Sequence, residues 1–281
     1  MRKLFASKLA ASGLLAASLG LFACSEKDTE PAPQIEDCVG ETCKPVGPGG
    51  NTGGSGGSGG NGGGDLDGVT TTVVGTILST VDSGFQLGAT YVGASKVKAY
   101  GKDGTIIETD TAAGQFIIED VAAGLNWFTL EDQHVQRTLI PTLQPIVVDP
   151  DNPQTVLVGV DEQLFLGVLD MMVPAQTARS EAGHAILFFV DELSQPVTGV
   201  SLTSWGSAEA VGYDLSPTYE VADPPSEGAT GPAGTVMLVN LPATPYPGSL
   251  VDIQFEVNGE PKVVSIRVAA GHVTRAAVAV E

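Results

Sequence analysis

Basic residues are scarce in this chain. Lysine and arginine number 13 against 33 aspartates and glutamates, a formal net charge of −20. Phosphate binding needs Lys and Arg to release counterions, so nucleic acid is excluded as a partner. Histidine occurs only at His134, His184 and His272. The three are scattered and no His-Glu-x-x-His helix exists, so no metal ligand set is read and no cofactor is expected. No EF-hand loop accompanies the acidity either; Asp149-Pro150-Asp151-Asn152-Pro153 and Asp65-Leu66-Asp67-Gly68 read as turns. The apolar run from Leu9 to Phe22 is too short to be a comfortable membrane span. Cysteine is limited to Cys24, Cys38 and Cys43. Cys38 and Cys43 are not spaced Cys-x-x-Cys and have no nearby His or further Cys, so neither a redox motif nor a zinc set follows.

What is present begins with a targeting segment. Arg2, Lys3 and Lys8 make the front end basic, and the short apolar run that follows fits a cleaved signal. It ends in Leu21-Phe22-Ala23-Cys24, which resembles the lipobox of bacterial lipoproteins. The resemblance implies cleavage before Cys24, diacylglycerol on its sulfur, and attachment to a membrane. Several acyl chains anchor stably where one does not, at about 0.8 kcal/mol per buried CH₂. Loss of residues 1–23 removes three basic and no acidic groups, taking the formal charge from −20 to −23. Anionic headgroups would repel such a chain, so the acyl anchor is the expected membrane contact. With Ser25 rather than Asp after the Cys, the expected site is the outer membrane, at its periplasmic face or at the cell surface. Cys38 and Cys43 remain as a candidate disulfide of an exported chain.

Residues 24–67 are expected to be a disordered Gly/Ser-rich tether, since a segment this poor in apolar residues cannot offset its ordering entropy. Some 40 flexible residues reach about 35 Å r.m.s.. Gly53-Gly54-Ser55-Gly56-Gly57 matches G-x-S-x-G in letters only, because that chemistry needs a strained strand-to-helix elbow.

From Val69 onward, short β-rich runs are separated by Gly, Pro, Asn and Asp. Val251-Asp252-Ile253-Gln254-Phe255-Glu256-Val257 alternates as a half-buried strand. Asn258-Gly259 turns it, and Val264-Ser265-Ile266-Arg267-Val268 returns. Thr155 to Val160 and Gln115 to Ile118 read as strands too. The pattern predicts an all-β chain of two antiparallel sandwiches, residues 68–160 and 184–281. Residues 161–183 form a helical connection: Asp161 to Val173 carries acids at its start and is apolar on most sides, so a short buried helix is expected between the sandwiches. Trp127, beside Phe128, is assigned to the first core.

A weak internal repeat supports two units. Thr109-Asp110 through Gly114-Gln115-Phe116 to Val121-Ala122-Ala123-Gly124 is matched by Thr230 through Gly234-Thr235-Val236 to Asn240-Leu241-Pro242-Ala243. With Val73-Val74-Gly75-Thr76-Ile77, Gly93-Ala94-Ser95-Lys96-Val97 and Pro196-Val197-Thr198-Gly199-Val200, this resembles the carboxypeptidase regulatory-like domain, a transthyretin-type sandwich with an Ig-like build. The resemblance implies fold, and an accessory or surface role without catalytic residues. An insertion from Ser204 to Gly228 departs from it.

That insertion carries Trp205, Tyr213 and Tyr219, which are the best candidates for a binding loop, although packing over the sandwich edge is the favoured reading. Leu241-Pro242-Ala243-Thr244-Pro245 lacks the final Gly and apolar tail of a sortase signal. The function expected from the sequence is a non-catalytic, membrane-anchored lipoprotein that displays β-sandwiches for adhesion, or for binding an envelope protein or glycan. A periplasmic structural or assembly component without its own ligand is the alternative, and a hydrolase the least favoured.

Overall fold

The computed structural model describes residues 68–101, 104–215 and 218–280. The lipobox at Cys24, the tether, and Cys38 and Cys43 lie outside the described residues.

In chain order the first nine strands are β1 (Thr70–Thr80), β2 (Leu87–Thr90), β3 (Ser95–Tyr100), β4 (Ile106–Asp110), β5 (Gln115–Ala122), β6 (Gly124–Asp132), β7 (Leu139–Ile140), β8 (Thr142–Val148) and β9 (Gln154–Asp161). Helix α1 (Glu162–Met171) follows. Then come β10 (Gly183–Val190), β11 (Ser201–Trp205), β12 (Ala210–Asp214), β13 (Tyr219–Val221), a 3₁₀ turn at Pro225–Glu227, β14 (Thr235–Leu241), β15 (Ser249–Val257), β16 (Glu260–Val268) and β17 (Val273–Ala279). The described residues are therefore all-β with one short α-helix.

Three sheets form, and one of them joins the two halves. A nine-stranded sheet runs β13-β12-β14-β10-β17-β8-β6-β3-β4. The seam is β17, parallel to β10 along its length and parallel to β8 at Val273↔Thr142 and Thr274↔Leu143. Pro145 sits in β8 just past the point where β17 leaves. The Cα register with β6 turns that residue's missing N–H away from β6, so no ladder bond is lost.

Alternation along the strands gives the shared sheet two working faces. On one face, Val97, Ala99, Phe128 and Leu130 meet Val73, Ile77, Phe116, Ile118 and Leu157 of the sheet built on β1, β2, β5, β7 and β9. On the other, Leu187, Phe189, Val236 and Leu238 meet Ile253, Phe255 and Ile266 of the three-stranded sheet β11-β15-β16. Trp127 belongs to this second cluster, with Tyr100 against it. The assignment of Trp127 to the first core is thus corrected. Neighbouring strand residues face opposite ways, so only Phe128 enters the first core.

Helix α1 starts where its acids suggest. Asp161 is its N-cap, its carboxylate accepting the Leu164 N–H at 2.8 Å. Phe165, Val168, Leu169 and Met172, at i, i+3, i+4 and i+7, are buried against Ile186, Met237 and Val239 of one half and Phe85, Ile140 and Val160 of the other. Leu166 and Met171 stay about half exposed, so the helix covers one side of the junction and is not enclosed by it.

The repeat is a structural duplication. β1 lies between antiparallel β5 and parallel β9; β10 lies between antiparallel β14 and parallel β17. Both antiparallel pairs carry a register shift, and both β5 and β14 hold a left-handed residue there: Asp120 at φ 60° and Asn240 at φ 55°. Asp and Asn tolerate that conformation best after glycine, which is why the repeat keeps an acid or its amide at this bulge. Gly114 and Gly234 precede the two strands at φ 77° and 62°, each with a carbonyl that accepts from β1 or β10, Ile77 N–H and Phe189 N–H at 2.8 Å. A Cβ at either glycine would strike backbone, Tyr91 O or Phe189 O, at 2.7 Å. Thr230 corresponds to Thr111, two residues beyond the Thr109 of the sequence alignment. Each hydroxyl accepts a backbone N–H from the opposite strand's start, Ser95 or Val200, at 3.1 and 3.0 Å.

Candidate functional site

The aromatic residues of the insertion do not form a loop platform. Trp205 ends β11 and packs partly buried against the second core. Tyr213 lies in β12, where all five residues are buried. Its hydroxyl accepts the Leu202 N–H at 3.0 Å and donates to Pro225 O at 2.8 Å, and burial pushes its pKa up. Tyr219 lies in β13, buried beside the Phe85 ring at 6.4 Å; burial likewise pushes its phenol up. The loop assignment of Tyr213 and Tyr219 is therefore corrected: the insertion adds two strands to the sheet edge, and its tyrosines hold them down. Only Val211 and Tyr213 favour a strand here, between Ala210, Gly212 and Asp214, which do not, so the local signal was weak.

The histidines are not assembled into a centre. The backbones of His184 and His272 meet, His184 N–H donating to His272 O at 2.9 Å, but their rings face different partners. The His184 ring meets Phe165 edge-on at 5.2 Å and accepts the Asn240 N–H at Nδ1, 3.3 Å; desolvation holds its pKa down at about 4. The His272 ring stacks on Tyr246 at 5.8 Å, and burial lowers its pKa also. His134 is exposed in the loop after β6. Among the described residues no group of three or more His, Cys, Asp or Glu could hold a metal ion.

Two carboxylates, buried Asp214 and half-buried Asp132, serve the backbone. Asp214 accepts from Gly231, Ala233 and Thr235 N–H at 3.1, 2.8 and 2.7 Å. Asp132 accepts from His134, Thr138 and Leu139 N–H at 2.8, 2.6 and 3.2 Å and from the Tyr91 hydroxyl at 2.9 Å. Burial pushes the Asp132 carboxyl up, yet these donors outweigh it and hold it down at about 2. Two surface loops repeat the device. Asp82 accepts Gly84 and Gln86 N–H at 3.0 and 3.1 Å; Asp191 accepts Leu193 and Gln195 N–H at 2.9 and 2.8 Å. The sequence signal, Val-Asp-x-x-x-Gln at Val81 and again at Val190, marks a second pair of repeat positions that sequence reasoning missed.

The junction carries a polar cluster on the Trp127 face. Tyr246, from the β14–β15 loop, stacks on His272, and the Lys98 ammonium lies 5.2 Å from its ring. Lys98 also pairs with Glu131 at 2.6 Å. Arg267 of β16 lies 4.5 Å from the Tyr100 ring of β3. These contacts tie β3 and β6 of the first half to loops and strands of the second.

The outer face of β5-β1-β9 is open. Val74, Ile117 and Val156 are each about half exposed there. Beside them lies a shallow depression of about 470 Å³ lined by Val74, Gly75, Thr76, Gln115, Gln154, Thr155 and Val156. It offers apolar, hydroxyl and amide contacts and no ionisable group.

No protein-family model matches the chain, and no curated protein matches it. Among solved structures it is similar to the Bacillus anthracis TIE protein, at 11% identity over 74% of this chain, with a TM-score of 0.23. It is also similar to a streptococcal ancillary pilin, at 12% identity over 75% of this chain, with a TM-score of 0.22. The chain spans 34% of the length of the first and 68% of the second.

Proposed function

We propose that this is a non-catalytic, lipid-anchored envelope protein that holds a rigid pair of fused β-sandwiches away from the membrane for adhesion, or for binding a protein or glycan partner. The observation that carries the reading is the shared nine-stranded sheet. Two duplicated sandwiches that hydrogen-bond through one strand, β17, and are packed by α1 behave as one platform. A module that must present a surface gains from such stiffness, because less conformational freedom is lost on binding. The engaged titratable groups fit this reading: buried Asp214 and His184 and half-buried Asp132 accept from backbone N–H groups and so hold loops and strands in place. The anchor is supported by Leu21-Phe22-Ala23-Cys24, and the reach by the Gly-rich stretch behind it.

The test is fractionation of the native host with labelled palmitate. The expected result is a labelled chain in the outer membrane and an unlabelled, soluble Cys24→Ala variant. An unlabelled, soluble wild-type chain would overturn the anchor. Protease shaving of intact cells, with an epitope placed after Glu281, then separates outward display from a periplasmic assembly role.

A further inference from the structure

The edges of the shared sheet are unequal. At the β13 end, the chain leaving α1 closes the edge: Val173 bridges Glu220 in parallel and its carbonyl accepts the Val221 N–H at 3.2 Å. The three-stranded sheet is protected as well. On β11 the Leu202 N–H is taken by the Tyr213 hydroxyl, while β16 carries Pro261 and its Arg267 carbonyl accepts from Thr274. These are ordinary devices against unwanted strand pairing.

At the other end, β4 pairs only with β3, and among the described residues no strand lies beyond it. The direction of its free groups follows from the ladder. Thr111 N–H donates to Ser95 O at 2.9 Å and Gly101 N–H to Thr105 O at 3.2 Å. Together with the register Val97↔Thr109 and Ala99↔Ile107, these bonds point the amides of residues 107 and 109 at β3. The N–H and C=O groups of Ile106, Glu108 and Asp110 therefore point outward.

The side chains at this edge specify the visitor. Ile106, Glu108 and Asp110 are exposed. Lys96 answers one charge, pairing with Glu108 at 2.8 Å. A second copy paired antiparallel through β4 would set Glu108 against Glu108 or Asp110 in its two in-phase central registers, on a molecule already at −20.

We propose that the β4 edge is a docking site for an extended segment of another protein, one that alternates Lys or Arg with apolar residues and adds a tenth strand to the sheet. Main-chain bonds to Ile106, Glu108 and Asp110 supply affinity, and basic side chains opposite Glu108 and Asp110 supply selectivity. The inference names the partner class for the display reading and rests on it for its setting, but the test below uses purified protein and does not depend on location or lipid.

The experiment uses the full chain carrying Cys24→Ala and three capped ten-residue peptides, alternating Lys-Val, Glu-Val and Lys-Pro. Binding is read by fluorescence anisotropy, and amide exchange at Ile106, Glu108 and Asp110 by NMR. The expected result is binding of Lys-Val at least tenfold tighter than either other peptide, with slowed exchange at those amides. Glu108→Pro removes an outward N–H without touching the β3 ladder and should abolish binding. Glu108→Lys with Asp110→Lys, which keeps the backbone, should shift preference to Glu-Val. Equal binding of Lys-Val and Lys-Pro would show attraction to acidic surface alone and overturn the proposal. So would Lys-Val binding that leaves the three amides unprotected.

Discussion

Phe85 offers a sharp test of how the halves are held together. It sits at the tip of the β1–β2 loop at φ 53°, fully buried, with its ring 6.4 Å from both Phe165 of α1 and Tyr219 of β13. An aromatic in the left-handed region costs about 1–2 kcal/mol. The loop bears that cost because Asp82 pins Gly84 and Gln86 around it. Removing a buried Phe side chain costs about 3–5 kcal/mol. The expected loss for Phe85→Ala is therefore about 4 kcal/mol. Phe85→Gly opens the same cavity but relieves the backbone, so it should be milder than Phe85→Ala by about 1 kcal/mol, the reverse of the usual order. The duplicated loop supplies a control. Ser194 stands at φ 59° in the matching position, exposed and without a cavity to leave. There Ser194→Gly should stabilise by about 1 kcal/mol and Ser194→Ala should change little. Urea unfolding at 25 °C measures all four. A loss below about 1 kcal/mol for Phe85→Ala, or a glycine variant no better than the alanine one, would refute the account.

Two pH effects follow. His184 has a depressed folded pKa of about 4, so its neutral form belongs to the fold; stability is complete above the unfolded value near 6.5 and declines as pH falls from there toward 4. Thermal melts should show this slope in wild type and a flatter one in His184→Asn. Asp132, held at about 2, contributes above the unfolded value near 4, and that contribution disappears as pH falls from 4 toward 2. Asp132→Asn should melt lower at pH 7 and lose less than wild type across that window; parallel curves would remove Asp132 from the explanation.

Legibility from sequence tracked distance along the chain. Val251 to Val257 announced β15 because alternation is local, and Asn258-Gly259 announced its turn with φ 54° and 81°. Asp161 announced the helix start for the same reason. Trp127 could not be placed, because its side of β6 joins a core supplied by strands of the second half, from β10 to β16, far along the chain. Tyr213 and Tyr219 sat in Pro-rich sequence that reads as loop, and only pairing of β12 with β14 and of β13 with β12 makes it sheet. In the first half the strand after β3 stays in that sheet, as β4; in the second, β12 crosses to the opposite layer. No pattern within either segment distinguishes those fates.

The placement of β17 bears on how the protein is made. β17, late in the chain, is the strand that lies between β10 and β8, so the second half and the seam to the first are incomplete until it arrives. A chain made in order from its N-terminus would leave one edge of β8 and one edge of β10 bare until β17 is made. Each such edge invites misassociation. Folding should then be a late, concerted event, and the first half expressed alone should aggregate even though its own strands are all present.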